Sequence, residues 1–483
     1  MLCAMTDTPD LELQRQLAKH FSAALDATIS AIRAELAKDR KPRGKRSEPS
    51  FYFRDNGMPS LSDGSVFENR GPLQYADLLE PMPGAGNNPF HRQKFDEGRF
   101  AEVDALAEFV RANPGCARSN FPSSLENPSV IDIIRVQLEI QLAHAANHYF
   151  QRYGNTPLDC RKRTALLGPI FRGFFNERVN ITDVIPIALV KFDFDRLRLA
   201  DDAYIFRMSE ALQKKRWAAK AYGASGHDGV VAAATHAFAI TGWHWPNVPW
   251  MQMPNNLAGH TPMLRERIEE LFAALRLVSG VSTGYAQEAR VARGWRHLHS
   301  DQPPEVYAAG ARRYPEEFDD FGWMRDDLPT VTREQMRETA SVLTRIAAIE
   351  DQRLTLALRR MNGAMIRSDV ADTILDATIA LEILLSDGDS QAVGYKLRMR
   401  AGALANLAEP GGAAAVSAAI KQIYEARSRI VHGARQSKKR DTALAGSLAR
   451  DTALKTLRNI LQIVIAHPRY LDPLKIDAEL LLA

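Results

Sequence analysis

Cysteine is scarce: Cys3, Cys116 and Cys160 are the only three in 483 residues, too few and too scattered for a disulfide framework or a zinc site. Their scarcity excludes a small oxidised scaffold and points to a reducing compartment, so the expected location is cytoplasmic. Long apolar runs are also missing. None approaches the roughly 18 residues of a membrane span, and the first residues lack a signal peptide's apolar core, so no membrane partner is expected. The chain has no Gly-x-x-x-x-Gly-Lys-Ser/Thr loop to cradle nucleotide phosphates. His144 and His148 have the one-turn spacing of two zinc ligands, but Ala145 stands where a His-Glu-x-x-His protease needs its acid. With no third ligand nearby they read as structural, and neither a metal nor a cofactor is expected.

The composition, 45% apolar and 25% charged, is that of an ordinary globular protein, and the length suggests about three domains. Residues 1–97 open with a helix over about Leu11–Lys38, where Leu13, Leu17, Phe21, Leu25 and Ile29 recur at near-helical spacing. A basic run follows, Lys38-Asp39-Arg40-Lys41-Pro42-Arg43-Gly44-Lys45-Arg46, and then a Pro/Gly-rich stretch near residues 81–89. Together these predict a linker or long irregular loop, with the basic run a solvated hinge more readily than a nucleic-acid contact.

Residues 98–330 read as a mixed α/β accessory region of sensor or regulatory type. Helices are expected near 100–111, 130–153, 158–176 and 262–275. Strands are expected at 184–190, 203–208, 275–278 and 285–295. Gly280-Val281-Ser282-Thr283-Gly284 matches the nucleophile elbow of serine hydrolases, which needs a strand before the serine and a helix after it. Tyr285 onward does not read as an amphipathic helix, so a glycine-rich turn is favoured. Trp243-His244-Trp245 and Trp295-Arg296-His297-Leu298-His299 could stack nucleic-acid bases, but aromatic clusters of this kind are more often core.

Residues 331–483 read as wholly helical, an antiparallel bundle of helices at 333–361, 367–386, 394–408, 413–432 and 442–466. The fold class expected for the chain is therefore α+β, mainly α. On the fourth of these helices Ile420, Tyr424, Arg427 and Val431 share one stripe, which puts a guanidinium on an apolar face where it needs a carboxylate, an interface or an anion. His432 follows Arg427 with four residues between them. It stands next to Gly433, which reads as a C-cap and would place the imidazole at the negative end of the helix dipole. The bare spacing identifies nothing, since Arg15/His20, Arg290/His297 and Arg293/His299 share the looser pattern. Glu382 sits within the apolar run Ile374–Leu385 and also wants a partner, while Lys396 and Arg400 lie one turn apart on the next helix. Charge is concentrated here. Between Lys421 and Arg458 ten cations face three acids although the whole chain carries only +4, and Arg435, Lys438, Lys439 and Arg440 follow the His-Gly turn.

The blocks Ala380-Leu381-Glu382-Ile383-Leu384-Leu385, Tyr395-Lys396-Leu397, Arg400-Ala401 and Tyr424-Glu425-Ala426-Arg427-Ser428-Arg429-Ile430-Val431-His432-Gly433 resemble the ApeA-like branch of the HEPN family. The resemblance covers roughly residues 333 to 475, under a third of the chain. It implies a small helical bundle acting as a metal-independent endoribonuclease, a homodimer through this domain, and a role in prokaryotic antiviral defence as an abortive-infection toxin. It also implies catalysis by Arg427 and His432, with Ser428 in the polar position after the arginine and Glu382 beside them. Arg429, Arg435, Lys438, Lys439, Arg440, Lys396 and Arg400 would hold RNA, with tRNA and phage RNA among the substrates considered. Ala434 stands where some relatives paired with a nucleotidyltransferase carry a tyrosine. The competing reading is a non-catalytic binding or scaffold module in which Arg427 pairs with Glu382.

Overall fold

A computed structural model describes residues 9–44, 49–63, 72–80, 99–113, 133–175, 177–219, 226–246, 253–293, 306–389, 391–431 and 439–482. The fold is α+β and mainly helical, with a helical N-terminal part, a mixed middle and a helical C-terminal part. Helices α1 (Pro9–Ala37), α2 (Ala101–Ala112), α3 (Ile133–Tyr153) and α4 (Cys160–Phe175) pack as one unit. Leu17, Phe21, Leu25 and Ile29 of α1 are buried against Val103 and Leu106 of α2, Leu138 and Leu142 of α3, and Ile170 of α4. The expected boundary at 97/98 thus cuts through a core, because the i, i+4 stripe of α1 needs the later helices to cover it. Nor are residues 39–97 all linker. Ser50–Phe53 and Pro59–Ser62 form an antiparallel hairpin, and the 3-10 turn Tyr75–Leu79 buries Leu78 and Leu79 in the helical core. The basic run is partly spent internally: Lys38 and Arg40 both pair with Glu35, at 2.9 and 2.7 Å, and Arg40 also donates to the Leu78 carbonyl at 2.9 Å.

The middle of the chain builds a six-stranded sheet, every neighbouring pair antiparallel. Its spatial order is Val306–Arg313, Tyr285–Arg293, Arg178–Pro186, His236–Pro246, Ala203–Arg207, Arg196–Arg198. Period-two alternation sends successive side chains to opposite faces. Ile185 joins Phe238 and Ile240 under one layer, while Val184, Ala237 and Ala289 lie in a second cluster with Leu212 packed on it. Leu212 belongs to α5 (Glu210–Ala218), which with the short α6 (Asp228–Ala232) is braced by Arg216. That fully buried guanidinium donates to the carbonyls of Val231 (2.6 Å) and Ala232 (3.1 Å) and to Gln213 and Gln287. Burial pushes its pKa down to about 9.

The other face carries α7 (Met253–Ser279), which joins sheet to bundle. Phe272 sits edge-on to Phe238 and stacks on Tyr285, both at 5.3 Å between centroids. Residues 275–278, expected as strand, complete this helix: Leu264, Ile268, Leu271 and Leu275 continue one 4-3-4 stripe, and the core makes that period decisive. The bundle consists of α8 (Arg333–Ala347), α9 (Gln352–Ala364), α10 (Val370–Leu385), α11 (Val393–Ala408), α12 (Ala413–Val431) and α13 (Lys439–Ala466). One helix was expected over 333–361, but the chain breaks before Asp351, whose carboxylate caps α9 by accepting from the amides of Arg353 and Leu354 at 2.7 and 3.1 Å. Asn362-Gly363, expected as the breaker, lies inside α9. Sheet and bundle share one core running from Ile185 and Phe238 through Ile268 and Leu271 to Leu343, Leu381 and Leu461, so the expected 330/331 boundary is not a break in packing.

The Gly280–Gly284 turn follows a helix and precedes a strand, the reverse of a nucleophile elbow, which removes the hydrolase reading. Gly280 adopts φ +72, and a Cβ on Gly284 would fall 1.8 Å from the Arg313 carbonyl oxygen, so both glycines are required by the turn itself.

Candidate functional site

The C-terminal ends of α10 and α12 and the start of α11 bring the sequence-selected residues together. α12 is buried along Ile420, Ile423 and Ala426, while Val431 at its end is 58% exposed. The helix therefore runs out of the core, and the stripe that holds Arg427 surfaces with it. Arg427 is 37% exposed rather than sunk in an apolar face, and its Nη2 lies 3.6 Å from Glu382 Oε1 on α10. The guanidinium also sits 5.7 Å over the Tyr424 ring, whose hydroxyl donates to the same Glu382 oxygen. Burial, and then the bond to Glu382, raise the Tyr424 phenol well above its ordinary value, so it stays protonated as a donor. Sequence reasoning put Tyr424 on the stripe but not in the site. Its place one turn before Arg427 was the available signal.

Ser428 is exposed on α12, and Arg429 is exposed with its Nε donating to the Glu425 carbonyl at 3.3 Å. His432, Gly433, Ala434, Arg435 and Lys438 lie outside the described residues, and of Lys439 and Arg440 only the backbone is described, as the start of α13.

Two residues expected to hold RNA have carboxylate partners within the fold. Arg400 is buried, donating to Asp477 at 2.8 and 2.6 Å, to Asp387 at 2.6 Å and to the Leu385 carbonyl at 2.7 Å. Lys396 pairs with Asp387 at 3.1 Å and Asp389 at 2.8 Å. Hydrogen bonds from Arg400, then Lys396, hold the Asp387 carboxyl far below the usual range, so both cations are already engaged by carboxylates. The basic count between 421 and 458 also overstates the surface charge: Arg458 turns inward to donate to the Leu277 carbonyl at 2.9 Å.

The other Arg/His pairs dissolve. Arg15 forms an exposed pair with Glu12, His20 stacks on Phe109 at 4.6 Å, and Arg290 is buried against Asp183 at 3.1 Å. The side chain of Arg293 is not described, and His297 and His299, with the Trp295–His299 cluster, lie outside the described residues. Trp245 is buried in the sheet and Trp243 packs partly buried against the core, while His244 between them is exposed. His144 and His148 have other partners, and among the described residues no third metal-ligating side chain joins them.

No family model, no curated protein and no solved structure matches the chain.

Proposed function

We propose that the C-terminal domain is a HEPN-type, metal-independent endoribonuclease acting in antiviral defence. The observation that supports it best is Arg427: a guanidinium at a helix end, 37% exposed, held among the described residues by a 3.6 Å carboxylate contact and the face of the Tyr424 ring. An exposed pair of that length contributes about 1 kcal/mol at most, so an incoming phosphate can take the cation over at little cost. In the proposed reaction the RNA 2′-hydroxyl loses its proton and attacks the adjacent phosphorus, and the P–O5′ bond breaks. The products are a 2′,3′-cyclic phosphate and a 5′-hydroxyl that takes up a proton. Arg427 neutralises the phosphoryl oxygens and His432 carries one of the two protons. A single imidazole cannot take one proton and give the other in one step, so the reading includes a homodimer that brings a second Arg/His pair. Exposed Tyr395 and Met399, one turn apart on α11, together with Val431, provide apolar surface near this centre suited to such an interface, since a Cβ built on Gly394 at the start of α11 would lie 3.5 Å from the Tyr424 ring.

The test is cleavage of RNA by the purified full chain in EDTA. Products ending in 2′,3′-cyclic phosphate, lost in His432→Ala and Arg427→Ala while both variants fold, support the enzyme. Equal background in all three removes it. The Arg427–Glu382 contact also favours a second reading, a binding module without catalysis, and that module would hold RNA in all three proteins without cutting it.

A further inference from the structure

A cavity of about 400 Å³ opens where α7, α9 and the strand ends at Tyr285 and Arg313 meet, within the size range of small-molecule sites. Its floor is fixed. Arg276, 3% exposed, donates to Asn362 Oδ1 at 2.6 Å and to the Thr283 carbonyl, yet its Nε–H has no partner among the described residues. Burial pushes the pKa of this guanidinium down to about 10. The Asn362 amide is consumed in turn by the Glu269 carbonyl at 2.9 Å and carboxylate at 2.6 Å, so Arg276 and Asn362 are held rigidly.

One wall is Tyr285, also 3% exposed, its ring stacked on Phe272 and its hydroxyl without a hydrogen-bond partner among the described residues. A phenol that lines the cavity with no intramolecular partner among the described residues can donate to a bound acceptor. At the rim Arg265 and Arg313 are exposed and form no ion pair among the described residues, while Arg359 has only a 3.5 Å contact to Glu266. Four arginines and two glutamates line the cavity, a surplus of two positive charges. A dianion balances that surplus and a single carboxylate does not. A phosphate monoester carries about −1.5 to −2 at neutral pH and presents oxygens that match guanidinium forks.

We propose that this cavity binds a small phosphate monoester, its dianion held by Arg265 and Arg313 and its organic part lying against Tyr285. The site uses no residue of the Arg427 centre, and its test reads binding alone, so the two proposals stand or fall separately.

Isothermal titration of the full chain would use AMP and glucose 6-phosphate, with adenosine, glucose and inorganic phosphate as controls. At least one ester should bind with Kd of about 1 mM or tighter, and which one binds separates a nucleotide from a sugar phosphate. The controls should bind at least about tenfold more weakly. R265A/R313A should weaken ester binding about tenfold or more with an unchanged melting temperature, and Tyr285→Phe should weaken it severalfold. The proposal is overturned by failure of both esters, by a control binding as tightly, or by ester binding that ignores both rim arginines.

Discussion

Arg400 on α11 and Arg427 on α12 both answer to carboxylates at the end of α10, yet one is closed and the other open. Arg400, with a side chain 2% exposed, has two carboxylates and a carbonyl within 2.8 Å, whereas Arg427, 37% exposed, has one carboxylate at 3.6 Å and an aromatic face beneath it. Buried charge is tolerated only when its hydrogen bonds are satisfied, so a saturated arginine is a bracket between helices. Chemistry needs the other kind, a cation held in place with capacity to spare.

The comparison can be broken or sharpened by measurement. The largest expected effect is on cleavage: Arg427→Ala should cost about 10²–10⁴-fold in RNA turnover, while urea denaturation shifts by about 1 kcal/mol or less. A large loss of stability instead would make Arg427 a second bracket. Arg400→Ala should do the opposite, destabilising the fold by about 3 kcal/mol in the same denaturation because Asp387 and Asp477 lose their shared partner. Tyr424→Phe removes one hydroxyl from Glu382 and should cost about 1 kcal/mol of stability.

The smallest effect is one of pH. Asp387 has a folded pKa held below its unfolded value of about 4. Its contribution is therefore fully present above that value and lost as pH falls below it. Wild-type stability should drop between about pH 5 and 2 more steeply than that of Arg400→Ala, a difference readable as the shift in urea midpoint. Parallel slopes would mean that Arg400 is not what holds the carboxyl down.

Much of the architecture was legible because periodicity reports burial directly. The first helix, the helices near 100–111, 130–153 and 158–176, and most of the bundle stand within a few residues of where their stripes place them. The misses have local causes. Leu275–Val278 is short enough to fit either period, and only the preceding turns of α7 make it helical. The α8–α9 break depends on one capping aspartate inside a sequence that is otherwise good helix. Packing runs on across residues 97/98 and 330/331, because composition marks loops while a core joins residues far apart in the chain.

For the site, the order of residues along α12 fixed by itself that Tyr424, Arg427 and Val431 share a face, since 3.6 residues per turn allows nothing else. It also marked Glu382 and Arg427 as charges in apolar stretches, each in want of a partner. Which cations were spent was beyond its reach: Lys396, Arg400 and Arg427 look alike in one dimension, and Asp477, far along the chain from Arg400, decides the difference. Only the tertiary structure settles that, because the state of a charge depends on the distances of every neighbour and on how much water remains, and neither quantity is written in local spacing.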